Sequence, residues 1–232
     1  NGDHILALKR SRNEGGWSRG DLLEISIEEF LAQGPKFQSS FKGYKVAIDF
    51  PHRDVPIDPY FLGLWLGDGN RDSSIICAAD EPVVEYLHEF AEARGEHVTV
   101  TDKNRSAPTY RVCRGKGSSG SMQEQLREMG LLYNKHIPDV YLYNSKDVRL
   151  ALLAGLIDSD GHYMQGQGGP YEITQKSRRL ATQIKYLCDS LGYRTSLSSK
   201  IATCNGKEFQ VWRVRFNGNV DEISRVIHDF GG

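Results

Sequence analysis

Two nearly uniform apolar stretches, residues 61–69 (FLGLWLGDG) and 152–161 (LLAGLIDSDG), stand out in a chain in which apolar residues are otherwise interspersed with polar ones. Each stretch has the length of a short helix and ends in Asp-Gly, at Asp68 and at Asp160. A helix that is apolar on every side is typical of a buried position. Small residues allow helix backbones to approach closely. We therefore expect a helix–helix interface at Gly63, Gly67, Ala154 and Gly155.

The pattern that follows each apolar stretch is also repeated. A strand, a helix, a pair of strands and a final helix come in the same order twice. The first copy lies at 74–77, 80–95, 98–102, 109–114 and 121–129, and the second at 171–174, 177–192, 194–201, 209–216 and 220–229. Glycines at 165–170 predict a loop inserted into the second copy. The pattern predicts an α+β protein with two similar parts.

Alternation along the strands predicts a sheet face buried under the helices and an opposite face that is polar and basic. A basic sheet face can follow a DNA groove. The candidates for DNA contacts are Arg71, Arg111, Arg114, Gln175, Lys176, Arg194, Lys200, Arg213 and Arg215.

The net charge of −1 conceals an uneven distribution. Residues 94–149 carry ten basic and six acidic side chains, and residues 161–218 carry nine and three. Basic segments favour a polyanionic partner, although solvated faces of an ordinary protein can look the same. The four cysteines form no CxxC pair, which argues against a zinc site or a disulfide framework and for a reducing compartment.

Two carboxylates at converging helix C-termini repel each other, because each helix end already carries partial negative charge. A bound cation removes that conflict, and Mg²⁺ (or Mn²⁺) prefers oxygen ligands. We expect the side chains of Asp68 and Asp160 and the carbonyls of Gly67 and Ser159 to bind it, which suits phosphodiester hydrolysis. A single Asp-Gly is usually a plain turn, so the repetition carries this prediction. Asp158 has Leu66 as its counterpart and is expected to support the helix end rather than catalyse.

FLGLWLGDG and LAGLIDSDG resemble the paired motif of the LAGLIDADG homing endonucleases, and the second copy departs only at Ser159. The resemblance covers about residues 55–230. It implies two pseudo-symmetric αββαββα halves, residues 51–150 and 151–232, with saddle-shaped antiparallel sheets in a monomer. It also implies double-stranded DNA with a long asymmetric target site as the partner. Asp68 and Asp160 would bind the metal, and cleavage of both strands would leave 3′ overhangs.

Residues 134–138 (NKHIP) resemble a lysine-bearing element of intein endonucleases. This likeness implies that Lys135 is an electrostatic helper in catalysis, and an ordinary surface lysine is the alternative. The equivalent lysine of the second half stays open between Lys200, Lys207 and a residue beyond Gly232.

Residues 1–50 resemble a segment of an intein splicing domain, through DHILAL at 3–8 and the stretch 22–30. Splicing needs a Cys or Ser at the first residue and an Asn at the last, whereas this chain begins at Asn1 and ends at Gly232. We expect the endonuclease portion of an intein that does not splice as given, located with its host in the nucleus or cytoplasm. Two alternatives stay open: a DNA- or RNA-binding module (a maturase or a decayed endonuclease), and part of a protein-splicing intein.

Overall fold

The computed structural model describes residues 1–102, 107–115, 120–164, 171–204 and 206–225. Contacts between residues divide the chain into two compact units, residues 1–46 and residues 47–232. Sequence analysis predicts a boundary after residue 50, four positions later. None of the described helices is long and apolar enough to cross a membrane.

The first unit contains a three-stranded antiparallel sheet. Its central strand is β1 (Ile5–Arg10), flanked by β2 (Leu22–Ser26) and β3 (Phe41–Gly43). Two short helices, α1 (Ile27–Ala32) and α2 (Pro35–Ser40), join β2 to β3. Ser26 and Glu29 cap the start of α1 with reciprocal hydrogen bonds. The alternating apolar residues after His4 thus form a strand.

The two apolar stretches form the central helices of the second unit. They are α3 (Pro59–Asp68) and α7 (Lys146–Asp160), and both end at the predicted aspartates. α7 begins earlier than its apolar stretch, because its first turns are amphipathic and carry the buried Arg149. The Arg149 guanidinium donates to the backbone oxygens of Asn144 and Ser190, which satisfies its buried charge.

Two antiparallel sheets follow the central helices. After α3 come β4 (Ile75–Cys77), α4 (Glu81–Ala93), β5 (His97–Asp102), β6 (Thr109–Cys113) and α5 (Met122–Glu128), and a short α6 (Asp139–Leu142) precedes α7. After α7 come β7 (Gly161–Tyr163), β8 (Tyr171–Gln175), α8 (Arg178–Ser190), β9 (Arg194–Cys204), β10 (Lys207–Asn217) and a 3₁₀ turn (Val220–Glu222). The strand orders are β4-β6-β5 and β7-β8-β10-β9. The predicted α+β fold with antiparallel sheets is confirmed.

The sequence pattern predicts neither α6 nor β7, which are four and three residues long. The helix predicted at 220–229 begins as a 3₁₀ turn at Val220, and residues 226–229 lie outside the described residues. The loop predicted at 165–170 also lies outside them.

Strand register relates the two sheets position by position. Gly69 bridges to Ile76 as Gly161 pairs with Ile173, so Ile76 corresponds to Ile173. One step along, Ile75 pairs with Arg111, and Glu172 pairs with Arg215. Ile75 therefore occupies the position of Glu172, and Arg111 that of Arg215. The two sheets have equivalent strand pairing, and they differ in the side chains at equivalent positions.

One face of each sheet belongs to a continuous apolar core. Val214 and Phe216 of β10 and Ile173 of β8 are fully or almost fully buried there, next to α8. Alternation along β10 then directs Arg213 and Arg215 to the opposite face. The predicted division into a covered apolar face and an open basic face is thus present in the second sheet.

Candidate active site and nucleic-acid interface

Glycines set the contact between α3 and α7. A β-carbon on Gly63 would lie 2.3 Å from the backbone oxygen of Leu152, and one on Gly155 would lie 2.2 Å from that of Tyr60. A β-carbon on Gly67 would lie 2.1 Å from Ser159 Oγ. Ala154 is fully buried in α7. The two backbones touch where only glycine leaves room, which is the arrangement that the small residues predict.

This contact brings the two motif aspartates together at the helix ends. The Cγ atom of Asp160 lies 3.4 Å from the position that a β-carbon would take on Gly67, the neighbour of Asp68. Burial raises the pKa of Asp160. Partial burial and then the charge of Asp160 raise the pKa of Asp68 to about 6, although part of this side chain stays in contact with solvent. The site therefore holds negative charge that the surrounding protein does not fully compensate.

The ammonium group of Lys135 caps the C-terminus of α3. Its Nζ donates hydrogen bonds to the backbone oxygens of Leu66 and Gly67, both at 3.1 Å, and of Gly69 at 2.6 Å. Burial lowers the pKa of Lys135 to about 8, and the charges of Asp160 and Asp68 act in the opposite direction. Lys135 thus lies partly buried at the end of α3, close enough to both aspartates for their charges to affect its pKa. The Gly67 carbonyl, an expected metal ligand, already accepts one hydrogen bond from it.

Gln175, which the sequence predicts to face DNA, is bonded to Asp160. Its side chain is buried, and Nε2 donates a hydrogen bond of 2.5 Å to Oδ2 of Asp160. The bond opposes the effect of burial on the pKa of Asp160, because it favours the charged carboxylate. Gln175 ends strand β8, and strand alternation gives no sign that this end meets the end of α7.

Asp158 supports the fold beside the site, as its unmatched position predicts. The Tyr60 hydroxyl donates to Oδ2 at 2.7 Å, and Arg225 Nε donates to Oδ1 at 2.6 Å. The Asp158 side chain has no solvent-exposed surface. Ser159 Oγ donates to the backbone oxygen of Gly155 within α7, so its hydroxyl is used inside the helix.

The two aspartates face unlike cavities. Asp160 lines a cleft of about 710 Å³ together with Arg71, Lys135, Gln175 and Lys176. Asp68 lines a pocket of about 190 Å³ together with Ala78, Ala79, Asp80, Asp158 and Ser159. In the shared register, Ala78 and Ala79 take the positions of Gln175 and Lys176. A phosphate would meet positive side chains in the cleft of Asp160 and acidic ones in the pocket of Asp68.

The donor atoms fit a hard divalent ion that keeps several ligands from outside the protein. Among the described residues, no group of three or more His, Cys, Asp and Glu side chains is arranged to bind a metal. The two carboxylates at the helix ends, Asp68 and Asp160, are the candidate charged ligands. Mg²⁺ is commonly held by one or two carboxylates, with waters and substrate phosphates completing its coordination.

On the open face of the second sheet, an acidic side chain stands among the predicted DNA-binding arginines. Glu172 Oε2 accepts from Arg215 Nε at 2.5 Å and lies 3.7 Å from Arg213 Nη1. Thr174, opposite Arg213 on β8, also lines the cleft of Asp160. The open face and the cleft therefore adjoin. Sequence analysis missed Glu172, because only the register shows that it opposes Arg215.

The other predicted DNA contacts have differing surroundings. Arg114 Nε donates to the buried Glu96 at 2.8 Å, and this ion pair partly neutralises the charge of Arg114 within the first sheet. Arg111 Nε is buried and has no hydrogen-bond partner within the described parts of the chain. Lys176 lies over the ring of Phe209, and Arg194 and Lys200 are exposed on β9. Neither Lys200 nor Lys207 is among the residues that line the two cavities.

Residues 147–223 match the family model described as a LAGLIDADG-like domain. The match includes the second motif helix, Asp160 and the whole second sheet. This part of the chain is therefore a LAGLIDADG-like domain.

Curated relatives resemble this chain over part of their length. The replicative DNA helicase DnaB of Mycobacterium intracellulare is 36% identical over 154 residues, which are 66% of this chain and 22% of that protein. The ATP-dependent DNA helicase Hel308 of Thermococcus kodakarensis is 31% identical over 155 residues, 61% of this chain and 13% of that protein. The homothallic switching endonuclease of Saccharomyces cerevisiae is 28% identical over 166 residues, 62% of this chain and 28% of that protein.

The chain thus spans between 13% and 28% of the length of these relatives. Among solved structures, variants of the homing endonuclease I-DmoI align with 70% of this chain and 89% of theirs, at a TM-score of 0.46 and 17% sequence identity.

Proposed function

We propose that this chain is a site-specific DNA endonuclease that acts as a monomer. It hydrolyses both strands of a long asymmetric target in a reaction that depends on Mg²⁺ or Mn²⁺, and it leaves 3′ overhangs. The observation that carries the proposal is the meeting of Asp68 and Asp160 at the ends of two glycine-packed helices, beside Lys135. The match to the LAGLIDADG-like domain supports the same activity.

Asp68 and Asp160 are the residues that would hold the metal. A divalent ion bound there would lower the pKa of a water molecule and compensate the charge that develops on the phosphate. Both aspartates have raised pKa values, so a nearby positive charge favours their ionised forms. This need for positive charge agrees with metal dependence.

The surrounding residues hold the reacting groups in position. Gln175 fixes Asp160 by donating to Oδ2, and among the described residues Oδ1 accepts no hydrogen bond that would compete with a ligand. Lys135 fixes the end of α3 and places a positive charge close to both carboxylates. Arg71 and Lys176 in the same cleft attract the DNA backbone.

We also propose that the enzyme is of the intein-encoded type. Residues 1–46 form a unit of their own and include the stretches that resemble a splicing domain. The chain matches only 22% and 13% of the length of two relatives named as helicases. A segment that is a minor part of proteins named for other activities is what an inserted element would produce.

A plasmid library with randomised inserts tests the proposed activity. The purified chain is incubated with the library in Mg²⁺ and, separately, in EDTA, and linear products are sequenced. The proposal predicts linear molecules only in Mg²⁺, cut within one recurring sequence and carrying 3′ overhangs. Selective retention of duplexes without cleavage in either condition would instead favour the second candidate, a DNA-binding module. The basic face around Arg213 does not depend on the aspartate pair, which is why binding without cleavage is the second candidate.

A further inference from the structure

We propose that Glu172 and Arg215 form a guanine-reading pair in the DNA interface, with Glu172 as a positioning residue. The pair would direct the Arg215 guanidinium to the O6 and N7 atoms of one guanine in the major groove. This inference rests on the proposed DNA binding of the open sheet face. It adds that one half of the target contains a guanine at this point, and that Glu172 makes Arg215 selective for it.

The contact between the two side chains fixes one edge of the guanidinium. Arg215 and Glu172 are directly opposite on β10 and β8, and Arg215 Nε donates to Glu172 Oε2 at 2.5 Å. An arginine has five N–H donors in a rigid planar fork. Because Nε is used, the outer pair of nitrogens stays available as a fork, and two acceptors on the edge of guanine match that geometry.

Because Glu172 is more buried than Arg215, the pair is oriented outward from the sheet. The Glu172 side chain is 15% exposed, whereas that of Arg215 is 39% exposed. The carboxylate thus lies at the base of the pair and the guanidinium reaches outward from the sheet. Holding the side chain before binding lowers the entropy that an arginine loses when it contacts DNA.

The charge of Glu172 favours a base edge over a phosphate. Its Oε2 atom lies within 4 Å of both Arg215 and Arg213, at 2.5 Å and 3.7 Å. One negative charge therefore offsets part of the field of two arginines. A phosphate at this point would meet a weakened positive field and a nearby carboxylate, while the neutral edge of guanine meets no such repulsion.

The first sheet contains a matched control. Arg111 occupies the position of Arg215, and the apolar Ile75 occupies that of Glu172. Arg111 Nε is buried without a hydrogen-bond partner among the described residues, so no carboxylate directs its fork. We expect Arg111 to contact the DNA backbone without preference for a base.

Binding in EDTA tests the pair without cleavage. The probes are a duplex selected by the wild-type chain from a randomised library and a set in which each guanine in turn is replaced by adenine. The variants are Glu172→Gln, Arg215→Lys, Arg215→Ala and Arg111→Ala, and thermal unfolding establishes that each one is folded. Arg215→Lys keeps the charge and removes the fork.

The wild type should lose roughly 5- to 150-fold in affinity when one particular guanine is replaced. Glu172→Gln, Arg215→Lys and Arg215→Ala should all abolish the preference for that guanine. Preferences at the other positions of the duplex should stay as in the wild type. Glu172→Gln should also bind random-sequence DNA more tightly than the wild type, because it removes a negative charge. Arg111→Ala should weaken all duplexes alike and lower the slope of log affinity against log salt by about one unit.

The pair is refuted if Glu172→Gln or Arg215→Lys retains every guanine preference of the wild type. It is also refuted if Arg215→Ala behaves as Arg111→Ala is expected to, with a uniform loss of affinity and a lower salt slope. Failure of the proposed function looks different, because the wild-type chain would then select no duplex from the library.

Discussion

Gln175 donates a hydrogen bond from its buried amide to Oδ2 of Asp160, and so connects the end of strand β8 to the end of helix α7. Asp160 is therefore held by two elements, its own helix and the adjacent strand. In the other half, Ala78 directly follows β4 at the position of Gln175, and it has no side-chain amide that could bond to Asp68. One motif aspartate is fixed in position, and the other is more exposed.

Replacement of Gln175 by alanine should impair cleavage and leave DNA binding nearly unchanged. A hydrogen bond to a charged group contributes about 1.5–3 kcal/mol, so the cleavage rate should fall roughly 10- to 150-fold. The measurement pairs single-turnover cleavage with binding in EDTA. Thr182→Ala, at an exposed position of α8 that lines neither cavity, is the control. Loss of affinity with an unchanged cleavage rate would support the sequence-based prediction that Gln175 contacts DNA.

Replacement of Lys135 by methionine should lower both the cleavage rate and the stability. Methionine keeps an apolar side chain of similar length but removes the positive charge over the Trp65 ring and the hydrogen bonds to three carbonyls at the end of α3. Loss of such preorganised charge costs about 100- to 1,000-fold in rate, and we expect about 1–2 kcal/mol less free energy of unfolding. Lys146→Met, which removes an exposed ion pair with Glu222, is the control for both assays. Equal effects of the two substitutions would contradict a special role for Lys135.

Addition of one methyl group at Gly63 should strongly destabilise the second unit. The new β-carbon would lie 2.3 Å from the backbone oxygen of Leu152, so α3 and α7 would have to move apart. Overpacking of this kind costs about 1–3 kcal/mol, and a contact with rigid backbone belongs at the upper end. Urea unfolding measures the loss, with Gly43→Ala as the control because a β-carbon there meets open space. An unchanged unfolding midpoint for Gly63→Ala would show that the helices do not pack this closely.

Replacement of Asp68 by asparagine should stabilise the metal-free protein in a pH-dependent way. The pKa of Asp68 is raised to about 6, above the value of about 3.9 in an unfolded chain. A raised pKa means that the neutral form favours folding: this contribution is complete below about pH 4 and is lost as the pH rises through about 6. Asparagine stays neutral throughout.

The variant should therefore exceed the wild type in free energy of unfolding by about 1 kcal/mol near neutral pH, since solvent screens a partly exposed carboxylate. The difference should fade towards roughly pH 4. Urea unfolding in EDTA across this range provides the measurement. A gain of the same size at every pH would show that the charge of Asp68 is not its cause.

The central architecture follows from local sequence patterns. Apolar helices with glycines and terminal Asp-Gly pairs predict α3 and α7, and Gly95 and Gly192 mark the ends of the helices between the strands. Both glycines have positive φ angles, 65° and 87°, as a helix-terminating position requires. These signals depend on neighbours in the chain, so a single sequence contains them.

The contacts of the site depend on residues that are distant in the chain. Gln175 and Asp160 are fifteen positions apart, and Glu172 and Arg215 are 43 apart. Strand alternation assigns a side chain to a face, but it does not fix which residue of another strand or helix lies opposite. For that reason the sequence assigns Gln175 to the DNA face and gives no sign of Glu172. Lys135 was found only through a resemblance, since its three carbonyl acceptors lie 66 to 69 positions earlier.

The most direct test of the shared aspartate site is cleavage by Asp160→Asn, measured beside binding of the same duplex in EDTA. Asparagine keeps the size of the side chain and removes the charge that a divalent ion needs. We predict that cleavage of both strands in Mg²⁺ falls by about 100-fold or more, while affinity for the duplex stays close to that of the wild type. Cleavage by the variant at the wild-type rate would contradict the account.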